Sequence, residues 1–214
     1  MSVVLISLIG AVIILDKYAF GEFGVSQPII AGTIIGALFG DIYTGIFLGA
    51  IIQLIFLGGL PIGRDIPPDG QAAGIIGCGS YFLLRTSNSL EQSLFLAAVL
   101  ALLGGIVGGV LEMYTRRYNE KFFHHFMKRE DCLYVCHLAG LATAFLRGFC
   151  LFLPIFILSS SIKIPALLPQ LTKELLTIIG ISIGLANGIY LFVKKTTVVY
   201  AILGALCGLA LVVF

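Results

Sequence analysis

The polar residues of this apolar chain concentrate at 53–71. Gln53 comes first, then Gly58, Gly59, Pro61 and Gly63, then Arg64, Asp65, Pro67, Pro68, Asp69 and Gln71. Pro and repeated Gly break helical hydrogen bonding. In a membrane the freed backbone groups must be satisfied at a protein-lined or watery cavity. Asp69 and Gln71 are placed at the start of the following helix, where a carboxylate suits the helix dipole. Carboxylates plus amides accept and donate hydrogen bonds as a hydroxyl-rich ligand such as a sugar requires. The plainer alternative is a surface loop in which Arg64 contacts Asp65.

Two further sets are more dispersed. Asp16, Lys17, Glu22, Ser26 and Gln27 precede Pro28. They form either a loop at the membrane face or one wall of the same cavity. His137 and Arg147 lie ten residues apart on one predicted helix, a rise of about 15 Å, so they do not touch each other directly. An arginine within a span faces protein or water, not lipid. For Arg147 an ion-pair or packing role is favoured over ligand contact. Asp41 follows Gly40 inside a long apolar run and marks a bend.

Catalytic signatures are missing: the sequence has no HExxH, GxxxxGK[ST] or GxSxG. Gly77-Cys78-Gly79-Ser80 places a serine after a glycine, but no histidine base is positioned for it. Five cysteines, an odd number, mostly in or beside apolar runs, read as free thiols packing as small hydrophobes. Cys132 and Cys136 have helical spacing with His137 adjacent, but no second ligand pair completes a metal site. Neither a metal nor a cofactor is expected.

The elements that must position these residues follow from composition. Of 214 residues, 59% are hydrophobic and 11% are charged, and mean hydropathy is +1.08. A soluble domain carries about a quarter charged residues. The chain is therefore an integral membrane protein. This excludes a disordered chain, a disulfide scaffold and a nucleic-acid binder. The expected fold is all-α: a polytopic membrane helical bundle forming a single domain over 1–214. Spans of about 20 apolar residues are predicted at 93–113, 133–158, 175–193 and 196–214. The N-terminal half is irregular. Residues 3–15 and 70–84 are short for a crossing, and 28–60 is too long and is interrupted at Gly40-Asp41. Such broken or re-entrant helices are typical of transporter substrate sites. Residues 1–15 lack the basic n-region of a signal peptide and read as a retained membrane segment.

Glycine recurs at helical spacing at 32, 36, 40, 45 and 49, and again at 104/105 and 108/109. Close helix packing is the main reading; sliding of tightly packed helices is the other. The segment 114–131 is read as a connecting loop. It holds Arg116, Arg117, Lys121, Lys128 and Arg129, five of thirteen basic residues, and is expected to be cytoplasmic. Lys194-Lys195 agrees in phase. The same segment carries Phe122, Phe123, Phe126, His124 and His125. It is either an amphipathic surface helix or a solvated connector.

The run from Gln27-Pro28 through Ala31-Gly32-Thr33 and Gly40-Asp41-Ile42-Tyr43-Thr44-Gly45 to Gly49 resembles the opening of enzyme IIC of the mannose/fructose/sorbose class of the bacterial phosphotransferase system. The pattern continues through Gln53-Leu54, Leu57-Gly58, Ile62-Gly63 and Pro68-Asp69, and upstream at Leu15-Asp16. The resemblance is strongest over residues 10–80. It implies a permease subunit forming the sugar path with a IID membrane partner, in a trimer of IIC–IID pairs in the bacterial inner membrane. Soluble IIA and IIB subunits then relay phosphate to the entering sugar. IIC itself carries no phosphorylated residue, so the chain is expected not to be an enzyme. The resemblance places the sugar at Asp16, Gln53 and Asp69; Gln71 joins them from the residue reading. Arg64, Asp65, Asp41, His137 and Arg147 remain structural or gating candidates. Gln53 stands where the family usually has Glu. The segment from Asp16 to Pro28 is longer than the family's, and the chain stops where the family often has another helix. A substrate-binding membrane subunit of an ATPase-driven vitamin or metal uptake system is the alternative, and an intramembrane enzyme a more remote one.

Overall fold

The computed structural model describes residues 2–17, 21–59, 67–126, 132–165 and 168–192. Among them are seven helices and no strand: α1 (Val3–Leu15), α2 (Pro28–Leu38), α3 (Ile42–Phe56), α4 (Gly70–Leu84), α5 (Leu90–Phe126), α6 (Cys132–Ser161) and α7 (Lys173–Phe192). The expected helix at 196–214, Lys194-Lys195, Arg64 and Asp65 lie outside the described residues.

The first four helices have 13, 11, 15 and 15 residues. At 1.5 Å per residue each falls short of the roughly 30 Å hydrocarbon core. The interruption at Gly40-Asp41 is where the sequence puts it. Gly40 adopts φ +77°, a conformation open to glycine. Asp41 then caps α3 by accepting from Thr44 N at 3.1 Å. The result is an α2–α3 hairpin packed through glycine. A Cβ on Gly32 would lie 2.5 Å from Gly45 O, and one on Gly45 would collide with Gly32 O. Any side chain here would force the two backbones apart.

Helix α4 is the central spine. Every residue from Ala72 to Leu84 is buried, as expected of a helix apolar on all sides. The other helices pack around it. Phe39 stacks on Phe82 with ring centroids 5.0 Å apart, and Phe152 and Phe156 of α6 are fully buried in the same core. Arg85, which ends α4, bonds Asp41 at 2.7 Å and lies 4.8 Å above the Phe82 ring. This bond holds the Asp41 carboxyl below its ordinary value. Helix α7 is anchored to the end of α3, where Asn187 Nδ2 donates to Ile55 O at 3.1 Å.

One expectation is corrected. Residues 114–126 are neither a connector nor a separate surface helix, because α5 continues unbroken to Phe126. High charge density ends an apolar span without ending a helix. Glu, Lys and Arg are good helix formers, and the Glu112–Arg116 ion pair supports the backbone at i, i+4. Helices α5 and α6, of 37 and 30 residues, are thus longer than the apolar stretches inside them.

Candidate functional site

Asp69 is the centre of the site. It is the N-cap of α4, and its Oδ1 accepts from Ala72 N at 3.1 Å. Its own N–H donates to Gly105 O on α5 at 2.7 Å. That approach depends on small residues. A Cβ on Gly109 would come within 2.6 Å of Pro67 O, and one on Gly108 within 3.1 Å of Asp69 Cβ. Gly108 and Gly109 are therefore a niche for the start of α4, while Gly104 packs against Ile76 further along it.

Around Asp69 four elements contribute charge. Lys17, just past α1, donates to Asp69 Oδ1 at 2.9 Å and to Glu112 Oε2 at 3.1 Å. Arg147 of α6 lies 3.8 Å from Asp69 Oδ2 and 3.7 Å from Glu112 Oε2. Arg116 pairs with Glu112 from the same helix. Asp69 and Arg147 are buried; Lys17 and Glu112 are nearly so, with side chains 17% and 14% exposed. Despite its burial, Asp69 Oδ2 accepts no hydrogen bond among the described residues. Burial makes such a group costly and a natural acceptor for a ligand hydroxyl.

The other predicted residues divide. Asp16 is buried at the same end, but its carboxylate binds its own loop. It accepts from Phe23 N at 2.8 Å, Ser26 N at 3.0 Å and Ser26 Oγ at 3.2 Å. Gln53 Oε1 accepts from Ile29 N at 3.1 Å and caps α2, whose own N-cap residue Gln27 makes no side-chain bond. Gln71 is half-buried in the first turn of α4. Asp41 is at the opposite end of α4, a helix of 15 residues and about 22 Å.

His137 and Arg147, too far apart to touch, line one cavity. It has a volume of about 350 Å³ and lies between α5 and α6, bounded also by Glu112, Arg116, Asn119 and Gly140. Thr143 Oγ1 donates to Asn119 Oδ1 at 3.0 Å across the two helices. Lys17 belongs to the loop set that the sequence left undecided between surface and wall. Glu112 went unnoticed at the end of an apolar run. Its signal was a carboxylate one helical turn before Arg116, with glycine pairs just upstream.

Residues 1–213 match the family described as PTS system sorbose-specific IIC component, EII-Sor. The chain belongs to that family. Over 103 residues it is 35% identical to the PTS system sorbose-specific EIIC component of Klebsiella pneumoniae, a match covering 48% of this chain and 36% of that protein. Over 110 residues it is 33% identical to the PTS system mannose-specific EIIC component of Escherichia coli K12, covering 51% and 39%. These matches thus span well under half the length of each relative. A solved structure described as "Structure of membrane protein" superposes with a TM-score of 0.69 at 27% identity, over 96% of this chain and 84% of that one. A chain from a cryo-EM structure of the mannose transporter ManYZ with microcin E492 superposes at 0.55 and 21% identity, over 99% and 93%. The EII-Sor chain described here is a helical membrane protein with that fold.

Proposed function

We propose that this chain is the sugar-path subunit of a phosphotransferase system for sugars of the mannose, fructose, sorbose or N-acetylgalactosamine type. In this reading it is a single membrane-embedded domain over 1–214, multi-pass in the bacterial inner membrane. It works with a IID-like membrane subunit and soluble IIA and IIB phosphocarriers, in a trimer of IIC–IID pairs. It is not itself an enzyme, because phosphoryl transfer belongs to the partners. The observation that carries the reading is the family match over residues 1–213. No observation favours an ATPase-driven alternative.

The sugar binds at the start of α4. Asp69 Oδ2 accepts a hydroxyl, and Gln71 and the Gln53 amide nitrogen supply further polar groups. Asp16 holds the loop that presents Lys17, and direct contact of Asp16 with sugar uses its remaining lone pairs. Arg147 lies 3.8 Å from Asp69 Oδ2, beyond hydrogen-bond distance. The basic end of α5 faces the cytoplasm, so the site opens toward that side.

Asp69→Asn tests this. It keeps the side-chain volume and removes the charge. A hydrogen bond to a charged group is worth about 1.5–3 kcal/mol, so sugar affinity of the intact complex should fall roughly tenfold to a hundredfold. Asp41→Asn is the control at the far end of α4. Unchanged affinity in Asp69→Asn, at normal complex yield, removes Asp69 from the site. Gentle extraction should recover the chain with a second membrane subunit. Full sugar phosphorylation by the chain alone would refute the subunit reading.

A further inference from the structure

We propose that the cavity between α5 and α6 is a binding site for the phosphorylated sugar, on the cytoplasmic side of the sugar site. The inference rests on the functional reading above and adds a separate site for the product. Four observations carry it.

The cavity adjoins the Asp69 cluster, because Glu112 and Arg147 belong to both. It extends from there toward the ends of α5 and α6 where the basic residues gather, through Asn119 and His137. A sugar phosphorylated from the cytoplasmic side therefore meets this cavity as it leaves. Its chemistry also fits a phosphomonoester joined to a polyol. Arg116 and His137 provide donors for phosphate oxygens at the outer part. Arginine is suited to phosphate because its planar fork presents several N–H groups, and with five donors Arg116 bonds an anion while still paired to Glu112. Deeper in, Glu112 accepts hydroxyls. Asn119, whose side chain lies in hydrogen-bond contact with Thr143, adds an amide to the lining.

The charge balance favours an anion over a neutral sugar. Among the lining residues Arg116 and Arg147 face Glu112, an excess of one positive charge. The volume of about 350 Å³ falls at the small end of ligand pockets, roughly 300–1,000 Å³. Space is clear at Gly140, where an added Cβ would meet nothing within 4 Å. Phosphate oxyanions also occur on lipid headgroups, so the experiment separates the two sources.

The chain, extracted together with its IID-like membrane subunit, is placed in nanodiscs of phosphatidylcholine, or of phosphatidylcholine with phosphatidylglycerol. Equilibrium binding is measured for mannose, fructose, sorbose and N-acetylgalactosamine, for their phosphorylated forms, and for inorganic phosphate. A phosphorylated sugar should bind at least tenfold more tightly than inorganic phosphate. Gly140→Leu fills the cavity without removing charge, and should lower the ratio of phosphosugar to sugar affinity at least tenfold. Arg116→Gln, whose side chain is 69% exposed, should lower the same ratio without threatening the fold. It is the deciding variant if Gly140→Leu fails to assemble. An unchanged ratio in a folded variant overturns the proposal. So does inorganic phosphate binding as tightly as the phosphosugar, or phosphatidylglycerol abolishing phosphosugar binding. Binding of a free sugar but of no phosphosugar defeats this inference alone. Binding of neither defeats the functional reading as well.

Discussion

The two ends of α4 are built from similar residues to different effect. At its C-terminus Arg85 meets Asp41 at 2.7 Å, with Phe82 and Tyr81 beneath the guanidinium. The contact is short, and Asp41 also caps α3. At its N-terminus Asp69 lies among Lys17, Glu112 and Arg147, with two of the ion pairs at 3.7 and 3.8 Å. One oxygen there accepts no hydrogen bond, and its neighbours Glu112 and Arg147 also line a cavity. An ion pair drawn to contact with its lone pairs committed fixes structure. Charges held a little apart in a buried setting leave capacity for something else.

Three substitutions probe this contrast. Arg147→Leu should have the largest effect, because it leaves the buried Asp69 with Lys17 as its counter-charge and Glu112 with Lys17 and Arg116. Removing one member of a buried pair costs about 3–5 kcal/mol, and the long distances favour the lower figure. Thermal unfolding in detergent should show a large fall in midpoint. A fall no larger than that of Asp41→Asn would mean that the two ends are energetically alike. Gly109→Ala sharpens the comparison without touching charge. Its Cβ meets Pro67 O, so the segment entering α4 must shift, at about 1–3 kcal/mol. Sugar affinity should drop along with stability, because Asp69 moves with that segment. Unchanged affinity would show that the niche is not what places Asp69. Asp41→Asn should do least. Both partners are 29% exposed, and such pairs contribute about 0.2–1 kcal/mol. Raising salt should shrink this small difference further, while the buried cluster is screened much less.

What was legible in the sequence was local. Gly40-Asp41 announces a turn and a cap through its own backbone chemistry, and Pro68-Asp69 does the same for α4. The ends of α6 and α7 follow from where apolarity stops, so those expectations fall within a few residues of the helices. The choice of partners was not local. Lys17, Asp69, Glu112 and Arg147 are brought together only by the packing of α1, α4, α5 and α6. Nothing in the identity of Lys17 selects Asp69 over its neighbour Asp65. For the same reason the three hydrogen bonds that tie the Asp16 carboxylate to its own loop were not legible. The end of α5 was missed because hydropathy measures membrane affinity and not helicity.

The four-helix charge cluster also has a consequence for biogenesis. The ribosome delivers Lys17 first, then Asp69, Glu112 and finally Arg147. Until α6 has been inserted, Asp69 and Glu112 lack the Arg147 guanidinium, and each charge held in an apolar setting raises the energy of the nascent intermediate. The early helices therefore have no complete resting place until the sixth arrives. A ribosome stalled before α6 emerges should hold a chain whose N-terminal helices are still exchanging between translocon and lipid.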